Sequence, residues 1–253
     1  MSKALSQVGV VVLIVLAWMA VSALHLWPPY LFPSPVDVGA TLVRLTANGE
    51  LLYASVRTLG RIALGFGIAA IGGMLMGIAL ARYRRLSELF GPIAQGLQGM
   101  PSICWFPLAI LWFGLTEQAI YFVTVVGALF AIATATEAAL RSIPQTYVRA
   151  ATTMGARGTK LYLRVILPAA LPQLLIGLRA GWSFGWRSLM AAELLFMNLG
   201  LGQLLNMGRD LADAAQVVAI ILVILVIGLL VDRLLFARTE RAVRRRWGFE
   251  AAA

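Results

Sequence analysis

Thiol, imidazole, lysine and acid are all scarce in this 253-residue chain, and each scarcity closes a line of chemistry. One cysteine, Cys104, rules out an internal disulfide, and its apolar neighbours suggest an inert buried thiol. One histidine, His25, cannot build a metal site when the only cysteine is distant; at the end of an apolar run it reads as an interfacial residue. There are two lysines, Lys3 and Lys160, and neither sits in the G-x-x-x-x-G-K-[ST] pattern. Gly158-Thr159-Lys160-Leu161 lacks both the Gly-Lys pair and the following hydroxyl that a phosphate-cradling loop needs. No Gly-x-Ser-x-Gly elbow and no paired His/Cys site occurs either, so a membrane-embedded enzyme has no catalytic constellation here. The chain is expected not to hydrolyse ATP and to hold neither cofactor nor metal.

What the chain has instead is apolar length. Hydrophobic residues make up 60%, charged residues 13%, and the mean hydropathy is +0.86, far outside soluble composition. A helix needs about 20 apolar residues to cross a hydrocarbon core about 30 Å thick. Six stretches meet this: Val8–Trp27, Ile62–Ala81, Pro92–Phe113, Gln118–Thr136, an arginine-interrupted run Val165–Ala192, and Ala214–Val231. The first follows Lys3 as the apolar core of a signal peptide follows a basic residue, but it is too long for a signal core and no small-residue cleavage site precedes Trp27-Pro28. It is read as a retained helix. The fold class is therefore all-α and polytopic, with six spans in one domain over 1–253.

The net charge of +10 invites a nucleic-acid reading, but the positions of the charges argue for a membrane. With the N-terminus inside, fifteen of the 21 basic residues fall at Lys3, in the 82–85 and 141–164 segments, and in the 233–246 tail. Arg44 and Arg209 lie in outer loops, Arg57 and Arg61 at the outer start of the second span, and Arg179 and Arg187 within the fifth. This asymmetry puts both termini in the cytoplasm and 28–56 outside. The tail Arg241–Arg246 suits anionic headgroups, with no nucleic-acid partner.

The segment between the fourth and fifth stretches, Arg141–Pro168, is polar and helix-forming. Ser142 is placed to cap a helix with Pro144 in its first turn and Gln145 three residues on. Tyr147, Ala150, Ala151 and Met154 recur at helical spacing, Gly155 supplies the left-handed position that ends the helix, and a second short helix runs from about Thr159 into Leu167-Pro168. The spacing of Ala150-Ala151, Gly155, Val165 and Leu167-Pro168 resembles the cytoplasmic "EAA" loop of ABC importer permeases. Leu31-Phe32-Pro33-Ser34-Pro35, Pro107-Leu108 with Leu111-Trp112-Phe113-Gly114, Gly177-Leu178-Arg179 and Ala191-Ala192-Glu193 extend the likeness over residues 28–236 and resemble the nitrate, sulfonate, taurine and bicarbonate branch. Two positions depart from the pattern: Arg149 replaces the glutamate that opens the loop motif, and Thr116 replaces a second glycine after Gly114.

The resemblance implies a type I ABC importer permease in the bacterial inner membrane. It implies 28–56 as periplasmic loop and elbow, 57–236 as core, 141–165 as coupling helices and 237–253 as a cytoplasmic tail. Its implied partners are a second copy of the chain, two ABC ATPase subunits that carry ATP and Mg, and a periplasmic or lipid-anchored binding protein. Tyr147, Arg149, Ala150, Ala151, Met154, Gly155, Leu167 and Pro168 would form the ATPase dock. The cargo it implies is a small anion such as a sulfonate, taurine, nitrate or bicarbonate, with an aromatic or heterocyclic compound as the alternative.

Within the spans, Gly73 and Gly77, and Gly177, Gly181 and Gly185, repeat every four residues. Small residues at this spacing let backbones approach in lipid, either inside one subunit or across a two-fold interface. Arg179 has no acid at i±3 or i±4. Two readings stand: a guanidinium in an anion path, or a structural salt bridge. Arg187 and Glu193 are placed at the outer end of the fifth span, where they could shape a mouth, and Glu137 is placed as an interfacial charge. Trp105, Phe106, Trp112, Phe113, Trp182, Phe184 and Trp186 are read as core or belt residues, with Trp182 and Trp186 also candidates to line the path. Pro101 and Pro107 predict a kink in the third span. A proton- or ion-coupled secondary transporter is the rival class, but no inverted repeat and no acid inside the fourth span supports it.

Overall fold

A computed structural model describes residues 2–24, 26–28, 30–196 and 198–246. His25 and the side chains of Lys3, Arg244 and Arg246 lie outside the described residues. Almost every described residue is helical, and no strand occurs among them. Each of the six apolar stretches is helical over most of its described residues. Four helices are long and apolar enough to cross a membrane: Glu50–Arg82, Glu117–Arg141, Gly158–Leu195 and Ala214–Val243. The described apolar part of the first helix, Gly9–Ala23, is shorter.

The third stretch departs from expectation. It folds as α4 (Arg84–Gly99), a 3₁₀ turn (Ser102–Trp105) and α5 (Phe106–Phe113), with the two parts bent by 103°. Met100 and Pro101 are both extended, ψ 130° and 131°, because proline pushes its predecessor out of the helical region. The kink is thus a full break at Met100-Pro101. Pro107 lies in the first turn of α5, where a missing N–H is harmless. Gly114 closes α5 at φ +65°.

The chain divides into two compact units, residues 1–59 with 193–227 and residues 60–192 with 228–253. In the first, α1 (Ser2–Ala23) donates from Trp18 Nε1 to the Pro33 carbonyl at 3.0 Å. Ser34 and Asp37 then open α2 (Pro35–Ala47) with a reciprocal capping box. The hydrogen bonds from Ser34 hold the Asp37 carboxyl below its usual range. Leu45 and Ala54 pack with Leu201, Leu204 and Ile220, the last three from α10 (Leu201–Asp210) and α11 (Ala214–Val231).

The second unit is organised around α6 (Glu117–Arg141), which buries residues from Ala119 to Leu140 on more than one face. Small residues allow this, because lipid offers no apolar contrast and contact area must come from close approach. Gly73 and Gly77 of α3 (Glu50–Arg82) lie against it: a Cβ on Gly77 would stand 2.5 Å from the Ala133 carbonyl oxygen, and one on Gly73 2.7 Å from that of Leu129. From α9 (Leu167–Leu195), Gly177 meets Ala135, Gly181 meets Ile132 and Gly185 meets Ala128. Both glycine rows therefore pack within one chain, the first of the two readings offered by the sequence.

Candidate functional site

The polar segment is rooted in the second unit and projects from it. α6 runs to Arg141, and Ser142 is its C-terminal cap residue, its hydroxyl donating to the Ala139 carbonyl at 2.9 Å. The sequence reading of Ser142 as an N-cap is therefore corrected. Pro144, at φ −57° and ψ 131°, precedes α7 (Gln145–Thr153) with no side-chain cap. The competing preference is physical: a hydroxyl on the last turn of one helix finds an acceptor at once, before the next helix begins.

The other end of α7 matches the pattern. Gly155 has φ +85°, its N–H bonds the Thr152 carbonyl at 3.0 Å, and the Ala156 N–H bonds that of Ala151 at 2.9 Å. These two bonds are a complete Schellman closure. Ala151 is buried, whereas Arg149 and Ala150 are exposed, Tyr147 is 56% exposed and Met154 is 88% exposed. Beside Tyr147 lies a cavity of about 400 Å³ lined by Ser142, Pro144, Ala169 and Gln173.

The second short helix is not separate. α8 (Gly158–Leu161), a π-turn at Tyr162–Ile166 and α9 form one helix of 38 residues, Gly158–Leu195. The wide turn precedes Pro168, whose ring would clash with the carbonyl four residues back in a regular α-helix. Leu167 packs against the cluster of Ala139, Leu140, Ile143, Ala170 and Leu174, which anchors the base of the segment.

Arg179 is fully engaged. Its Nε and Nη2 each stand 2.6 Å from an Asp232 carboxylate oxygen, and its Nη1 is 3.4 Å from Glu240 Oε2. Asp232 opens a second π-turn, Asp232–Phe236, which carries the chain into α12 (Ala237–Arg246). The geometry is that of the salt-bridge reading, with the acid supplied 53 residues away. Glu193 is a correction. It is wholly buried, accepting from the Thr58 hydroxyl at 2.8 Å and the Gly202 N–H at 3.1 Å, so it does not face a mouth. Thr58 in turn accepts the Leu201 N–H at 2.9 Å. Arg187 is exposed, donates to its own helix at Ser183, and lies 4.9 Å from the Phe184 ring centre.

Comparison with known proteins gives these sites a setting. Residues 69–244 match the family described as binding-protein-dependent transport system inner membrane component. The chain belongs to that family. It is 31% identical to a putative ABC transporter permease of Methanocaldococcus jannaschii, over 83% of this chain and 81% of that protein. It is 30% identical to the taurine transport system permease protein TauC of Escherichia coli, over 95% and 87% respectively. It is also similar to a putative aliphatic sulfonates transport permease protein of the same organism, at 32% over 87% and 83%. The fold is that of a chain in a solved inward-facing MetNI methionine ABC transporter, with TM-score 0.68 and 22% identity over 77% of this chain and 96% of that one.

In this permease, three features escaped sequence reading. Arg61, 3% exposed, pairs with Glu117 Oε1 at 2.8 Å, a partner that its place at the start of the second span did not name. Glu137 accepts from the Ser87 hydroxyl at 2.6 Å and lies 3.2 Å from Arg141, so it is a packed polar group. Cys104 is exposed, because apolar neighbours in a membrane protein do not imply burial. Trp182 packs edge-on to Phe66, stacks at 6.0 Å on Trp186 and meets Phe236 at 5.9 Å, while Trp105, Trp112 and Phe113 surround Phe122. Trp182 is buried in its cluster.

Proposed function

We propose that the permease imports a small anion, a sulfonate or an inorganic oxyanion such as bicarbonate or nitrate, by ATP-driven alternating access. The exposed face of α7 carries this reading: Tyr147 and Met154 stand out from a helix that lies beyond the apolar spans, at a terminus closed by Gly155. Large apolar side chains on a helix outside the apolar spans suit the surface of a protein partner. An ABC ATPase fits, since this chain has no phosphate-binding loop of its own; ATP and Mg bind there, and this chain binds neither. Tyr147, Arg149, Ala150, Met154 and Gly155 form the dock, seated on Ala151, Leu167 and Pro168. The assembly is two copies of this single permease domain, two ATPase subunits and a binding protein that delivers cargo. Both termini lie on the cytoplasmic side of a bacterial inner membrane, in keeping with the distribution of arginine. The taurine and sulfonate permeases among the relatives support the class of cargo.

Gly155→Val tests the dock. A β-branched residue at φ +85° opposes the left-handed backbone that both Schellman bonds require. The variant should insert and purify as a membrane protein, yet lose the ATPase subunit or hydrolyse ATP without uptake. Wild-type co-purification together with wild-type uptake would end this reading.

A further inference from the structure

Three of the arginines in the long apolar helices, Arg61, Arg179 and Arg187, differ in how they are satisfied. Arg61 faces Glu117 and Arg179 faces Asp232, but Arg187 has no carboxylate partner among the described residues. It lies eight residues, about 12 Å, from the end of the Gly158–Leu195 helix. A guanidinium on an apolar helix with no carboxylate beside it belongs in a polar or water-filled space. Arg187 borders one: a cavity of about 350 Å³ formed where α4 breaks before the Ser102–Trp105 turn.

The wall of this cavity is mixed in a particular way. Gln98 takes the Thr134 hydroxyl on its carbonyl oxygen at 2.5 Å, so its amide N–H groups are the free end. Ser102 adds a hydroxyl, while the buried Ser188 gives its proton to the Phe184 carbonyl at 2.8 Å. Trp105 and Phe184 make the apolar side. Among the described residues no acid lines it. A cation, an amide donor and a hydroxyl around a small space, with no carboxylate among them, is the chemistry that holds an oxyanion and rejects a cation.

We infer that this cavity at the helix break is a subsite for the charged head of the cargo, with Arg187 as its anion-holding residue and Gln98 and Ser102 as donors. The inference rests on the proposed anionic cargo. It gives the broken third span a purpose: a continuous helix through Met100-Pro101 would fill the space that the 103° bend leaves open. It also separates the two arginines of α9, Arg179 holding the fold and Arg187 holding cargo.

The test reads charge at the site without relying on uptake. In the complete reconstituted transporter, Ser102→Cys is made in a Cys104→Ser background. It is modified with 2-sulfonatoethyl methanethiosulfonate, an alkyl sulfonate, or with the trimethylammonium analogue. Relative to a free thiol, the anionic reagent should be favoured by about tenfold, the scale on which a local field raises encounter. Arg187→Lys should keep most of this preference and Arg187→Gln should remove it. A ratio that Arg187→Gln does not change, or a cysteine that neither reagent reaches, would overturn the subsite. Ile103→Cys, at another point of the same wall, serves if Ser102→Cys does not assemble. Charge preference without any anion uptake would leave the subsite standing and sink the cargo class; anion uptake without charge preference would do the reverse.

Discussion

Breaking the Arg179–Asp232 pair should loosen the second unit before it affects transport chemistry. Both prongs are 2.6 Å, so the charge centres are about 4 Å apart, where attraction at an effective dielectric of about 20 is about 4 kcal/mol. Desolvation takes back part of this, and the side chains are 40% and 27% exposed, so the net coupling should be about 2 kcal/mol. Asp232→Asn leaves the guanidinium only Glu240, 3.4 Å away, and should destabilise by about 2 kcal/mol; Arg179→Gln should do so by less, since the residual acid can be protonated. The double variant should recover much of the loss. Denaturant unfolding in detergent, followed by tryptophan fluorescence, reports directly, because Trp182 packs against Phe236 of the same π-turn. A coupling below about 0.5 kcal/mol would refute the structural role. So would Arg179→Gln abolishing uptake at unchanged stability while Asp232→Asn does nothing, which would restore Arg179 to the anion path.

Gly77→Ala places a methyl 2.5 Å from the Ala133 carbonyl oxygen and should lower unfolding stability by about 1–3 kcal/mol, whereas Gly67→Ala, with open space beside it, should not. Thr58→Val orphans the buried Leu201 N–H and removes a donor from Glu193, so a loss of about 2 kcal/mol is expected in the same assay. Topology is checked with single cysteines at Thr46 and Ser142, both exposed, in a Cys104→Ser background. Impermeant maleimide in intact cells should reach Thr46→Cys and spare Ser142→Cys, and the opposite pattern would invert the proposed orientation.

What the sequence made legible was whatever depends on neighbours along the chain. Apolar length located every helix of the membrane region, and Gly155 announced its left-handed backbone because nothing else ends a helix as cheaply. The glycine rows were visible, but their partner, α6, was not, since four-residue spacing names a face without naming what meets it. The same limit hid Asp232, 53 residues from Arg179. Glu193 misled because its position near a helix end suggested water, while Thr58 and Gly202 had folded over it. At Met100-Pro101 the proline was the right signal, but the size of the bend is set by two consecutive extended residues, not by one ring.

The long helix from Gly158 to Leu195 has a mechanical meaning. At 1.5 Å per residue its 38 residues reach about 57 Å, farther than the hydrocarbon core is thick. Its wide turn at Tyr162–Ile166 and its internal Pro172 are the two places where such a rod bends, and both lie on the Gly158 side of Gly177, Gly181 and Gly185, which seat it on α6. A push at Gly158–Lys160 is therefore met first at these two joints, and the stretch held against α6 receives what they pass on.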